Sequence, residues 1–212
     1  RDLDTFHLFQ KPERKDEWEK RGAALRTRIQ LACGLLPARR KCALSPIVTS
    51  TFESDGVRVE NIAIQTFDGF WLCGNVYRPI DGGPFPAIAN PHGHWADGRR
   101  TREEDVPRNA PGERLAAGKA DLVQLGVSLA RQGFLVLAYD MVGYNDTLQA
   151  GHGMAGTTTD WMWGVSLLGL QTWNSIRVLD YLESRPDVDR KRIGVTGASG
   201  GGSQAFVLCA FD

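Results

Sequence analysis

The chain carries no excess of charge: 25 Lys and Arg stand against 25 Asp and Glu over 212 residues. A net charge of zero removes the electrostatic argument for nucleic acid or an anionic membrane surface as a partner. No run of about 18 apolar residues occurs, so no membrane span is expected. There is no internal repeat and no low-complexity tract, which sets aside solenoids and disordered arrays. Cysteine is scarce, with four in all, and no Cys-x-x-Cys or Cys/His cluster has zinc spacing. No secretory signal is visible, and the opening Arg1-Asp2-Leu3-Asp4 lacks a Met, as a processed or trimmed start would. Compartment is therefore not read directly, although export is slightly favoured over the cytoplasm.

What is present suits one compact domain: 42% of the residues are hydrophobic. Residues 1–56 read as an N-terminal helix and connector, and residues 57–212 as the main unit. Pro12 and Glu13 suit a first turn, and Trp18, Gly22, Leu25, Ile29 and Cys33 form one stripe of a helix over 12–33. Residues 34–56 read as a mixed connector. Val59–Thr66 alternates, Asp68-Gly69 marks a tight turn, and Phe70–Arg78 returns as the second strand of a hairpin. A short apolar strand at Ala87-Ile88-Ala89 follows. Residues 96–114 are dense in charge and read as a solvated loop. Leu115–Gln132 is expected as a helix stopped by Gly133, and Phe134–Tyr139 as a strand buried on both faces. Asp160 is expected to cap one long helix to about Ser184, with Trp161, Val165, Leu168, Thr172, Ile176 and Leu179 inward; the Trp161/Trp163 pair reads as packed at its start, with the wall of an acyl or sugar pocket as the other reading. Arg192–Thr196 is the next strand, and a last helix starts near Gly200. This alternation gives an α/β fold class: a mostly parallel sheet with helices on both faces, preceded by the N-terminal helix.

Cys73 in a strand and Cys209 in a helix are expected as buried free thiols. Cys33 and Cys42 flank a Pro/Arg-rich turn, and the sequence leaves open whether they pair in an exported protein or stay free.

Chemistry concentrates at Gly197-Ala198-Ser199-Gly200-Gly201, which fits Gly-x-Ser-x-Gly. The letters alone are common in a chain with 24 glycines. Their setting is more specific, because Ile193-Gly194-Val195-Thr196 leads in as a strand and Ala205-Phe206-Val207-Leu208 leads out as a helix. A serine on such a turn adopts unfavourable dihedrals, and Gly197 and Gly201 leave room where side chains would collide. Ser199 is thus the candidate nucleophile. Its tetrahedral oxyanion needs two amide donors. One is Gly200, the residue after the nucleophile, and the other is His94, in the loop His92-Gly93-His94-Trp95 that closes the third strand. The competing reading is a glycine turn that binds phosphate, but Gly-x-Gly-x-x-Gly spacing after the first strand is missing.

The side chain of His92 reads best as a buried imidazole that holds its loop by hydrogen bonds. His92-x-His94 with Asp97 also suggests a metal loop, yet the acid is misplaced and only His7 and His152 remain to complete a site. No metal or other cofactor is expected. The segment Asp140-Met141-Val142-Gly143-Tyr144-Asn145-Asp146 lies at the carboxyl edge of the sheet, where ligands bind. His152 beyond it is a candidate general base, although an exposed loop histidine is the plainer reading.

Tyr77-Arg78-Pro79, Pro86–His94, Asp140–Gly143 and Arg192–Gly202 together resemble the α/β-hydrolase superfamily, and in finer texture the bacterial acetyl-xylan-esterase-like serine hydrolases. The resemblance runs from Val57 to Asp212. It implies a carboxylic-ester hydrolase acting on a small-molecule or carbohydrate ester. In that family the acid and the His follow the serine, whereas 13 residues follow Ser199 here. The acid, the His and the last strands are therefore expected beyond this chain, either on a companion C-terminal fragment or chain or in sequence simply absent here. The other readings are a catalytically inactive hydrolase-like binding or assembly domain, and a serine peptidase.

Overall fold

The computed structural model describes residues 9–102, 121–153 and 157–211, with the backbone alone at Trp161. The helix α1 (Lys15–Ala32) comes first, followed by the strands β1 (Ile47–Ser54), β2 (Val57–Phe67), β3 (Phe70–Pro79) and β4 (Phe85–Pro91). Then come α2 (Leu122–Arg131), β5 (Leu135–Tyr139), α3 (Thr158–Met162), α4 (Leu167–Ser184), β6 (Val188–Val195) and α5 (Gly200–Leu208). Among the described residues, the six strands form one sheet in the order β1-β2-β3-β5-β4-β6.

That sheet is mixed, not mostly parallel as expected. The pairs β1–β2, β2–β3 and β3–β5 are antiparallel, and only β4 pairs in parallel, with β5 and β6. The cause is the N-terminal meander, whose tight turn at Asp68-Gly69 returns the chain antiparallel before any helical crossover occurs. Helices do cover both faces. Along β5, Leu135, Leu137 and Tyr139 pack with Val178, Tyr181 and Leu182 of α4, while Val136 and Ala138 join Tyr77 and Ala130 of α2 on the other side. All five β5 residues are buried, as the uninterrupted apolar run required.

Several elements depart from expectation. The connector 34–56 contains β1, whose residues are exposed throughout. An edge strand wet on both faces has no alternation to read. The stripe of α1 is not a core face: Trp18 and Leu25 are exposed, and only Ile29 and Cys33 at its end meet the cluster around Leu35 and Trp173. The long helix expected from Asp160 is broken. Gly164 at φ +63° lies between α3 and α4, and Ser166 caps α4 by accepting from the Gly169 N–H at 3.0 Å. Of the expected face, Thr172 is buried and Leu179 packs against the core, while Leu168 is exposed and Ser175, Val178 and Leu182 are buried beside them. Trp163 is 80% exposed and does not pack at a helix start, and the Trp161 side chain lies outside the described residues. β6 begins at Val188, earlier than Arg192.

The pairing of Cys33 with Cys42, left open by the sequence, is not made: all four cysteines are free. Cys33 is buried, the Cys42 thiol donates to the Gln65 carbonyl at 3.6 Å, and Cys209 is exposed where a buried thiol was expected. Residues 115–120 of the helix expected from Leu115 lie outside the described residues; α2 itself begins at Leu122, capped by Asp121, whose carboxylate accepts from the Gln124 N–H at 2.7 Å.

Candidate active site

Between β6 and α5 the chain turns sharply. The Thr196 N–H donates to the Ala89 carbonyl at 3.0 Å, which carries the β4–β6 pairing to the end of the strand. Three residues later Ser199 sits at φ +54°, ψ −123°, exposed, at the N-terminal cap of α5. Serine gains nothing from such dihedrals, which cost of order 1–3 kcal/mol. The helix starts at once, with the Ser203 N–H donating to the Ser199 carbonyl at 3.0 Å. The two outer glycines are sterically required. A methyl group on Gly197 would lie 3.0 Å from the Gly202 nitrogen, and one on Gly201 would lie 2.8 Å from the His92 carbonyl oxygen. The turn is thus pressed against the loop that leaves β4.

That loop is fixed from beneath by His92, which is fully buried. Its Nδ1–H donates to the Gly93 carbonyl at 2.6 Å, and its Nε2 accepts from the Met141 N–H at 3.0 Å. The Met141 N–H demands the neutral ring, and burial pushes its pKa down to about 4 although the Gly93 carbonyl pulls the other way. His92 is therefore a clamp between the loops after β4 and β5.

His94, two residues on, is exposed, and its ring lies over the elbow. A methyl group on Gly200 would come 2.7 Å from His94 Nδ1. His94 Nε2 lies 3.1 Å from His152 Nε2, and His152 Nδ1 lies 2.8 Å from the Val142 carbonyl oxygen. Tyr144 completes the cluster, its ring centroid 5.0 Å from those of both His92 and His152. Among the described residues no acceptor is found for the main-chain N–H of His94 or of Gly200, and Ser199 Oγ has no hydrogen-bond partner.

One part of the site went unread in the sequence. Arg99, inside the stretch expected to be a solvated loop, is 4% exposed and sits in a short 3₁₀ turn at Gly98–Arg100. Its guanidinium pairs with Asp140 through a short contact, with Asp146 at 2.6 Å and with the Asn75 side chain at 2.7 Å. Asp140 also accepts from the Asp146 N–H at 3.0 Å and from the Thr147 hydroxyl at 3.2 Å. Burial pushes the Asp140 carboxyl up to about 6 against the pull of Arg99, which leaves it ionised at neutral pH. An Arg whose partners lie 41 and 47 positions away gives no local pattern; the rest of that stretch, 103–114, lies outside the described residues.

Ser199, Gly200, Gly197, Gly201 and His94 are therefore neighbours, and His152 joins them through His94 and not through the serine. His152 is half-buried, not the exposed loop histidine expected. His7 lies outside the described residues. Among the described residues no group of three or more His, Cys, Asp or Glu is placed to hold a metal ion.

No family model matches this chain. It is 26% identical over 214 aligned residues to the 4-O-methyl-glucuronoyl methylesterase of Podospora anserina, a match covering 98% of this chain and 37% of that protein. The solved structure of methylesterase BT1017 superposes with a TM-score of 0.74 at 30% identity, covering 95% of this chain and 40% of that one. The chain has the α/β-hydrolase fold. The acetyl xylan esterase from Paenibacillus sp. R4 shares that fold with a TM-score of 0.57 at 19% identity, over 95% of this chain and 58% of that one. The sequence-level resemblance to acetyl-xylan-esterase-like serine hydrolases agrees with these likenesses. The chain spans about two fifths of the length of the curated relatives it matches, 40% and 37%. The expected companion fragment finds no support among them. Among the described residues no helix is long and apolar enough to cross a membrane.

Proposed function

We propose that this α/β-hydrolase is a carboxylic-ester hydrolase with Ser199 as its nucleophile and a carbohydrate ester as its substrate. Ser199 Oγ attacks the acyl carbonyl, the alcohol departs, and water hydrolyses the acyl-enzyme. The amides of Gly200 and His94 hold the oxyanion, and Gly197 and Gly201 make the turn. The observation that carries this reading is the strained serine at φ +54° on a strand–turn–helix, beneath a loop with an open amide. The substrate class draws its support from the esterase names of the relatives, which also speak against a non-catalytic domain or a peptidase. The proton acceptor is assigned to sequence that follows the serine, the order this fold uses, and not to His152. Export suits a carbohydrate substrate and belongs to the same proposal.

Turnover of acetylated xylosides, glucuronic acid methyl esters and matched amides by the full-length wild-type protein and its Ser199→Ala variant tests it. Ester hydrolysis that falls at least about a thousandfold in the variant supports the reading. Equal rates in the two proteins, or faster amide cleavage, would overturn it.

A further inference from the structure

The two imidazoles beside the elbow determine each other's tautomer. The Val142 carbonyl oxygen can only accept a hydrogen bond, so at 2.8 Å from it His152 Nδ1 carries the hydrogen. In the neutral ring His152 Nε2 is then an acceptor. Facing it at 3.1 Å, His94 Nε2 must donate. The remaining nitrogen of His94, Nδ1, is bare, and it is the one turned toward Gly200. A main-chain carbonyl two residues beyond Asp140 thus fixes the tautomer of a histidine on the loop after β4.

The relay also has a mechanical consequence. The loop His92-Gly93-His94 is tied to the segment after β5 twice: through buried His92 to the Met141 N–H, and through His94 and His152 to the Val142 carbonyl. The first tie lies beneath the loop. The second acts on the residue whose amide is the proposed oxyanion donor, and it parks that residue's ring against Gly200, which bears the other donor. Because the two donors must meet an atom that carries charge only in the transition state, small displacements of either weaken the chemical step more than substrate binding.

We propose that His152 is a positioning residue for hydrolysis: by accepting from His94 Nε2–H while donating to Val142, it holds the loop after β4 and the ring of His94 in register with the elbow. This rests on the reading of Ser199 as an esterase nucleophile. Two substitutions separate the hydrogen bonds from bulk. In His152→Gln, the amide N–H and carbonyl oxygen can take over the donor and acceptor roles; His152→Phe keeps a ring against Tyr144 and has neither.

The experiment is steady-state ester hydrolysis by wild type, His152→Gln and His152→Phe, with thermal melts to check folding, alongside ¹⁵N NMR of the histidine rings in the wild-type protein. The expected result is a fall in kcat of about tenfold or more for His152→Phe with KM within about twofold, and His152→Gln within about threefold of wild type. The NMR is expected to show His94 protonated on Nε2 and bare on Nδ1. A His152→Phe protein with wild-type kcat, a His152→Gln protein as impaired as His152→Phe, or a His94 protonated on Nδ1 would each overturn the proposal. Failure of the esterase reading looks different: wild type then turns over no ester, while the NMR result still decides the tautomer and needs no variant to fold.

Discussion

At the scale of single residues, the elbow and the two histidines of the loop after β4 have different physical roles. Gly201 faces backbone, so a methyl group there has nothing flexible to displace. Gly201→Ala is expected to destabilise the fold by about 1–3 kcal/mol, the usual range for overpacking, and to abolish esterase activity; urea denaturation and a chromogenic ester assay measure the two effects. His92 makes stability depend on pH. Its folded pKa of about 4 lies below the ordinary 6.5, so the unfolded chain takes up a proton that the folded one refuses. Its contribution is present above pH 6.5 and is lost as pH falls towards 4, on the order of 3 kcal/mol in full. Asp140 acts with opposite sign, because a carboxyl raised from 3.8 to about 6 binds its proton more readily in the folded state and favours folding as pH falls through that window. The wild-type curve mixes the two. The comparison that isolates His92 is denaturation from pH 4 to 7 in wild type and His92→Gln, where the variant is expected to lose less stability on acidification; parallel curves would show that His92 is not the group responsible.

At the scale of elements, the parts legible in the sequence are those with strong local grammar. The hairpin announces itself through alternation and Asp68-Gly69, β5 through an unbroken apolar run, and the elbow through glycines between a strand and a helix. The failures share one cause, which is that tertiary context decides them. β1 is wet on both faces, the apolar stripe of α1 finds almost no partner, and α4 turns the polar Gln171, Asn174 and Ser175 into the core. Arg99 is the clearest case, since a charge in a run of charges reads as solvated until its buried partner is known. Its network bolts the turn at Gly98–Arg100 onto the end of β5, beside the segment that carries Met141 and Val142. Removing one partner of a buried pair leaves an uncompensated charge, so Arg99→Met is expected to cost about 3–5 kcal/mol in urea denaturation. Pairing it with Asp140→Asn is expected to recover part of that loss, and a double-mutant cycle with no coupling would refute the buried-pair account.

At the scale of the whole molecule, strand order decides where the site lies. From β4 the chain crosses through α2 to β5 on one side, then returns through α4 to β6 on the other side of β4. The loops after β5 and β6 therefore flank the loop after β4 at one carboxyl edge, which is where ligands bind in open α/β sheets. The candidate oxyanion loop at His94 and the candidate nucleophile Ser199 come from distant parts of the chain. No local motif joins them. The parallel register of β4 with β6, from Ala87↔Ile193 to Ala89↔Val195, brings the two loops together.

The assembled edge is proposed to make Ser199 a reactive nucleophile, which a fluorophosphonate probe reads out on the serine itself. Intact mass and peptide mapping of the folded protein are expected to show one adduct, on Ser199, with ester hydrolysis lost in proportion to labelling and no adduct in Ser199→Ala. Well-folded protein that hydrolyses esters while Ser199 stays unlabelled, or that keeps its activity in Ser199→Ala, would contradict the account.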